Sequence, residues 1–139
     1  MITGNGLPFV ACISVCAVMA CLVGIDAGWA ADGEGSAASL TLGEEVYRDS
    51  CSVCHSIEPG APTIVAPNLF GIVGRQSATA QDFFYSPAMA AANLTWSEVN
   101  LTAFLTSPQQ VVPGTKMGFV GFLDPGDTQN VVAYLKTLR

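Results

Sequence analysis

The sequence predicts an all-α domain of about four to five short helices joined by long loops. Three observations point there. Apolar residues in the body recur at helical spacing, as in Leu101, Phe104 and Leu105 and again in Val131, Val132, Leu135 and Leu138. Each such stretch follows a helix-opening signal. The segments between them are broken by Pro and Gly, and none alternates as a strand does. A chain of 139 residues has room for one such domain and little else.

The first element is a leader. Leu7 to Ile25 is nineteen residues without a charge, which as a helix would span ~28 Å, near the thickness of a bilayer core. Residues 1–30 read either as a secretory signal or as an N-terminal membrane anchor. Gly28-Trp29-Ala30 offers a small-x-small cleavage site, but Met1 to Gly6 contains no Lys or Arg. An uncleaved anchor fits the length and would place Trp29 near the interface. Both readings export the body, to the periplasm as a soluble protein or to the outer face of the inner membrane on a tether. Cys12, Cys16 and Cys21 belong to this leader, where Cys packs as a small hydrophobe.

Residues 31–41 read as a linker, small and polar through Ser39. Thr41-Leu42-Gly43-Glu44 is a capping box and is expected to open a helix running into Cys51. Ser56 to Arg75, with Pro59, Gly60, Pro62 and Pro67, reads as irregular. Ser86-Pro87 starts a short Ala-rich helix. Thr95-Trp96-Ser97-Glu98 is a second capping box, opening a helix that stops before Pro108. Pro113-Gly114-Thr115-Lys116-Met117 is a turn ending in a methionine, and Asp124-Pro125-Gly126-Asp127 leads into the terminal helix. The domain proper is 42–139.

Chemistry concentrates in Cys51-Ser52-Val53-Cys54-His55, which holds the only histidine. A structural zinc site needs four ligands, and no Cys or His follows His55. A thioredoxin-like redox pair belongs in a βαβ context that this chain lacks. A Cys51–Cys54 disulfide is the plain alternative. The spacing suits covalent attachment of a c-type haem, each thiol adding across one vinyl group and the imidazole serving as an axial ligand. His55 can hold one face of the iron only. In the body the other position falls to Met89, Met117, a Lys, a Tyr, water or nothing. Met89 lies among small apolar residues where packing explains it, and Met117 follows a Pro-Gly turn on a loop able to approach the opposite face. A thioether beside an imidazole raises the potential and favours electron transfer.

Charge narrows the partners. The chain carries five basic and eleven acidic residues, net −6, and only Asp26 of the acids lies in the first thirty positions. Phosphate binding needs a basic face, so nucleic acid is excluded as a partner.

From about Leu42 to Leu138 the sequence resembles the class I cytochromes c, the group of mitochondrial cytochrome c and the bacterial respiratory and photosynthetic cytochromes. The residues that carry the resemblance are Gly43 and Tyr47, the Cys51-to-His55 motif, Pro67-Asn68-Leu69, Gly71, Gly74-Arg75, Tyr85, Trp96, Leu105, Pro108, Pro113 to Met117, Phe119, Gly121 and Ala133-Tyr134-Leu135-Lys136. The resemblance implies a cytochrome c fold wrapped around one haem c bound through Cys51 and Cys54, with His55 and Met117 as axial ligands. It implies that the Pro67 carbonyl accepts from His55, that Tyr85 and Trp96 donate to a buried haem propionate near Arg75, and that Phe119 covers the haem edge. It also implies a monomeric one-electron carrier, not an enzyme, working between a quinol-oxidising cytochrome complex and a terminal oxidase or reaction centre. A haem-based peroxidase or gas sensor with an open sixth site is the alternative. Two features depart from the mitochondrial members. Lys116 is the one basic residue near Met117, where those proteins carry a ring of lysines, and Phe104 stands where the family often has Tyr.

Overall fold

The computed structural model describes residues 31–139; the leader, its three cysteines and Trp29 lie outside the described residues. Five helices follow in order: α1 (Ala31–Ser50), α2 (Pro87–Ala91), α3 (Glu98–Thr106), α4 (Pro108–Val111) and α5 (Pro125–Thr137). Among the described residues the sole β pairing is an isolated antiparallel bridge between Gln76 and Thr95. No described helix is long and apolar enough to cross a membrane.

α1 begins earlier than the sequence reading places it. Residues 31–41, which read as a linker, are helical, and Thr41 does not cap. Its hydroxyl bonds back to the Ala37 carbonyl at 3.2 Å, within a helix already under way. Two physical causes favour the extension. Ala31, Ala37 and Ala38 are strong helix formers, and Ser39 Oγ donates to Asn130 Oδ1 of α5 at 2.8 Å, tying the extra length to a neighbour.

The other starts follow local chemistry. Ser86 Oγ accepts from Met89 N at 3.1 Å, with Pro87 in the first turn, and Asp124 Oδ1 accepts from Gly126 N at 2.7 Å, with Pro125 in the first turn. α3 opens two residues later than its apparent box. Ser97 caps it by accepting from Asn100 N at 3.2 Å, while the Thr95 carbonyl takes the Asn100 side-chain amide at 2.7 Å. Pro108 stops α3 as expected but also starts the four-residue α4, since a proline at the first helical position costs no hydrogen bond.

α1 and α5 cross, and α3 packs on α5 and α4. The core holds Tyr47, Ile72, Trp96, Leu101, Phe104, Leu105, Val112, Val131, Val132 and Leu135, with Val131 fully buried. Two glycines set close approaches. A Cβ on Gly43 would fall 2.7 Å from Tyr134 Cβ and 2.8 Å from the Asn130 carbonyl carbon, so α1 can cross α5 only with no side chain there. Gly121 sits at φ +109°, and a Cβ there would come within 2.8 Å of the Thr106 carbonyl carbon at the end of α3. Tyr47 and Tyr134 flank the crossing with ring centroids 6.0 Å apart.

The crossing yields a direct test. Gly43→Ala is expected to cost about 1–3 kcal/mol through forced separation of α1 and α5, measured as a lowered denaturant midpoint. An unchanged midpoint would contradict the close contact.

Candidate functional site

The Cys51-to-His55 motif is built as one more turn on the end of α1. Cys51 N and Ser52 N both donate to the Tyr47 carbonyl, at 2.8 and 2.9 Å, and Cys54 N and His55 N both donate to the Cys51 carbonyl, at 3.1 and 2.9 Å. Both thiols are free, so the disulfide reading fails, and no cluster able to hold a metal through His, Cys, Asp or Glu occurs among the described residues. Cys51 is half-buried against the core and Cys54 is exposed. Burial first, and then the neighbouring Cys54, push the Cys51 thiol up to about 11.

His55 is oriented from two sides. Its Nδ1 lies 2.7 Å from the Pro67 carbonyl oxygen. A carbonyl only accepts, so Nδ1 carries the proton and Nε2 keeps its lone pair. The Tyr47 hydroxyl donates to the His55 carbonyl at 2.6 Å, fixing the backbone beneath the ring. Burial lowers the His55 pKa and the Pro67 contact opposes it, so the neutral form is favoured.

Pro67 is returned to His55 by a loop folded around Asn68. The Asn68 amide donates to the Glu58 and Ala61 carbonyls at 2.7 and 3.1 Å, and its oxygen accepts from Phe70 N at 2.8 Å. Ala66 N to Cys54 O, at 3.1 Å, and Leu69 N to Ser56 O, at 2.8 Å, pair the loop with the motif itself. Arg75 closes it, donating to the Asn68 carbonyl at 2.6 Å.

Arg75, Tyr85 and Trp96 gather in one region. Trp96 N donates to the Arg75 carbonyl at 2.8 Å, and the buried indole rests 5.0 Å from the Phe104 ring. Burial lowers the Arg75 pKa, while Tyr85 is close enough to oppose that shift. The Tyr85 hydroxyl accepts from Ala80 N at 3.3 Å.

The Met117 loop has its own fastening. Gln109 of α4 donates through Nε2 to the Thr115 carbonyl and accepts at Oε1 from Gly114 N, both at 3.1 Å. Buried Thr115 accepts from Met117 N at 3.3 Å. Met117 and Phe119 are half-buried against the core cluster that also receives Cys51 and Tyr85, and Phe119 meets Phe122 edge-on at 4.7 Å. Met89 is buried in that core from α2. A groove of about 400 Å³ beside the motif is lined by Tyr47, Cys54, His55 and Ile64, among others; Met117, Arg75, Tyr85, Trp96 and Phe119 are not on its walls. The sequence reading gave no role to Gln109, Thr115, the Asn68 amide or the Tyr47 hydroxyl. They bind backbone across loops and leave no periodic signal.

The donor set fits a covalently held haem: two reduced thiols one helical turn apart, an imidazole with one nitrogen tied and the other available, and a thioether on a braced loop. The sequence profile of the Cytochrome c family matches residues 40–139. The chain belongs to the class I cytochromes c. It is 40% identical to cytochrome c of Chlamydomonas reinhardtii over 103 residues, 74% of this chain and 92% of that protein. It is 38% identical to cytochrome c2 of Rhodomicrobium vannielii over 121 residues, 87% of this chain and 95% of that protein. Among solved structures, cytochrome cH from Methylobacterium extorquens superposes with a TM-score of 0.65 at 36% identity, covering 70% of this chain and 97% of that one. This cytochrome therefore has the cytochrome c fold, carries one haem c attached through Cys51 and Cys54, and is a monohaem electron carrier.

The Tyr47 hydroxyl gives the second prediction. Tyr47→Phe is expected to lose about 1 kcal/mol of stability at neutral pH. Burial first, and then negative charge on Tyr134 and Glu58, raises the Tyr47 pKa above 10.0; Cys51 adds nothing once its sulfur is joined to the haem. The stabilisation is thus fully present below the ordinary phenol value and is lost as pH rises through the folded-state value. Denaturation at a series of pH values should show the gap between the two proteins narrowing in that alkaline window. A gap independent of pH would contradict the assignment.

Proposed function

We infer that this cytochrome passes single electrons outside the cytoplasm, from a quinol-oxidising cytochrome complex to a terminal oxidase or reaction centre, with His55 and Met117 as the axial ligands. The observation that supports the reading is the 2.7 Å contact between His55 Nδ1 and the Pro67 carbonyl, which leaves the Nε2 lone pair available to iron. When bound, the haem supplies a one-electron iron couple.

The chain's own residues keep both ends of that couple alike. Pro67, Asn68 and Tyr47 hold the imidazole side, and Gln109 and Thr115 hold the thioether side. Ligands braced from the polypeptide move little when charge changes, so little energy is spent on rearrangement. Arg75, Tyr85 and Trp96 are assigned to one haem propionate, because a buried carboxylate needs donors, and Phe119 to the cover over the haem edge. Residues 1–30 serve export, as a signal or an anchor, and residues 42–139 form the haem-bearing unit.

Carbon monoxide tests the sixth position. The reduced protein should bind it weakly or not at all, whereas Met117→Ala should bind readily and show a lower reduction potential. Ready binding by the unaltered protein would overturn the carrier reading and favour an open-site enzyme or sensor.

A further inference from the structure

The segment that carries Met117 is held at its two ends by unlike means. From Lys116 to Gly121 no backbone group pairs with another backbone group among the described residues. The ties inside it are Met117 N to Thr115 Oγ1, at 3.3 Å, and Lys116 Nζ to the Phe84 carbonyl, at 3.1 Å. The far end is fixed to α3. Phe122 N donates to the Leu105 carbonyl at 2.9 Å, and Gly121 lies so close to the Thr106 carbonyl that no side chain fits there.

The near end depends on one side chain. Gln109 stands between two buried anchors, Pro108 and Val112, on a turn closed by Val112 N to the Pro108 carbonyl at 2.9 Å. Its amide meets the loop at two points, donating to the Thr115 carbonyl and accepting from Gly114 N, each at 3.1 Å. Gly114, at φ +90°, makes the turn that brings both groups to the same amide. Gln109 is also exposed, so water replaces both bonds when they break. A tie of that kind holds by a small margin, whereas the end on α3 is held by close packing.

We propose that Gln109 is a positioning residue that latches the sixth position of the iron shut. The proposal rests on Met117 as the axial ligand and adds what controls its departure. With the amide engaged, residues 116–121 stay closed and Met117 keeps its place. With the amide released, the segment swings about Gly121 and Phe122, and a small neutral nitrogen base takes the sixth position instead. The share of open protein is set by the difference between two loop bonds and the same groups in water. Only the open form accepts an outside ligand, so the apparent affinity for that ligand scales with the share.

Imidazole, added to the oxidised haem-loaded full chain, reads that share: the iron–sulfur bond breaks, an iron–nitrogen bond forms, and no electron moves. Gln109→Met keeps the side chain's length and removes both bonds, and should tighten imidazole binding about fivefold. Gln110→Met makes the same change one residue on, at an exposed side chain with no bonded partner among the described residues. It should leave the affinity as it was. Before imidazole is added, both variants should keep the sulfur-to-iron charge-transfer band, because the latch tilts an equilibrium and does not build the ligand. Hydrogen exchange at the Gly114 amide should quicken by a similar factor in Gln109→Met alone. The latch is overturned if Gln109→Met binds imidazole no tighter than the unaltered protein, if both variants tighten it equally, or if Gly114 exchange does not respond. Binding as tight to the unaltered protein as to Met117→Ala is a different failure. It would show that Met117 does not guard the iron, and the axial assignment would fall together with the latch.

Discussion

Everything at this site depends on holding one imidazole still. His55 receives a carbonyl at Nδ1 from Pro67 and a hydroxyl at its own carbonyl from Tyr47. Tyr47 is the more economical device. Its backbone carbonyl accepts from Cys51 and Ser52 at the start of the motif, and its side chain reaches the end of it. One residue of α1 thereby clamps a five-residue segment that must present two sulfurs and a nitrogen in fixed relation. The rest of the loop through Asn68 exists to bring Pro67 back to the ring.

The frame that supports this clamp is the α1–α5 crossing. Gly43 permits it, Ser39 and Asn130 bridge it, and Tyr47 and Tyr134 fill its flank. Since Tyr47 belongs to both the crossing and the clamp, helix packing and ligand orientation are mechanically linked. The Met117 loop is fastened separately, through Gln109 and Thr115 and through Gly121 against the end of α3. Two loops, each tied down by side-chain amides and hydroxyls, stand in for regular structure between α1 and α5, where the three described helices are only four to nine residues long.

The sequence was most legible where local chemistry decides. Ser86, Asp124 and their following prolines opened helices where expected, and the apolar spacing of α3 and α5 matched the buried faces. It misled where tertiary contacts decide. Thr41 has the form of a cap but lies inside α1, because α5 supports the preceding turns. Thr95 has that form too, yet its carbonyl serves the Asn100 side chain while Ser97 caps. The attachment motif could be read from spacing, whereas the Pro67 contact needed the family resemblance. Asn68, Gln109 and Thr115 gave no signal, because bonds from side chain to loop backbone follow no period.

The central claim is that the polypeptide delivers one imidazole and one thioether to the same iron and keeps them there in both oxidation states. Iron K-edge X-ray absorption of the haem-loaded protein tests it most directly. The account predicts a single sulfur neighbour at nearly the same distance in the oxidised and the reduced protein. A shell of light atoms alone, or a sulfur that appears in only one state, would contradict it.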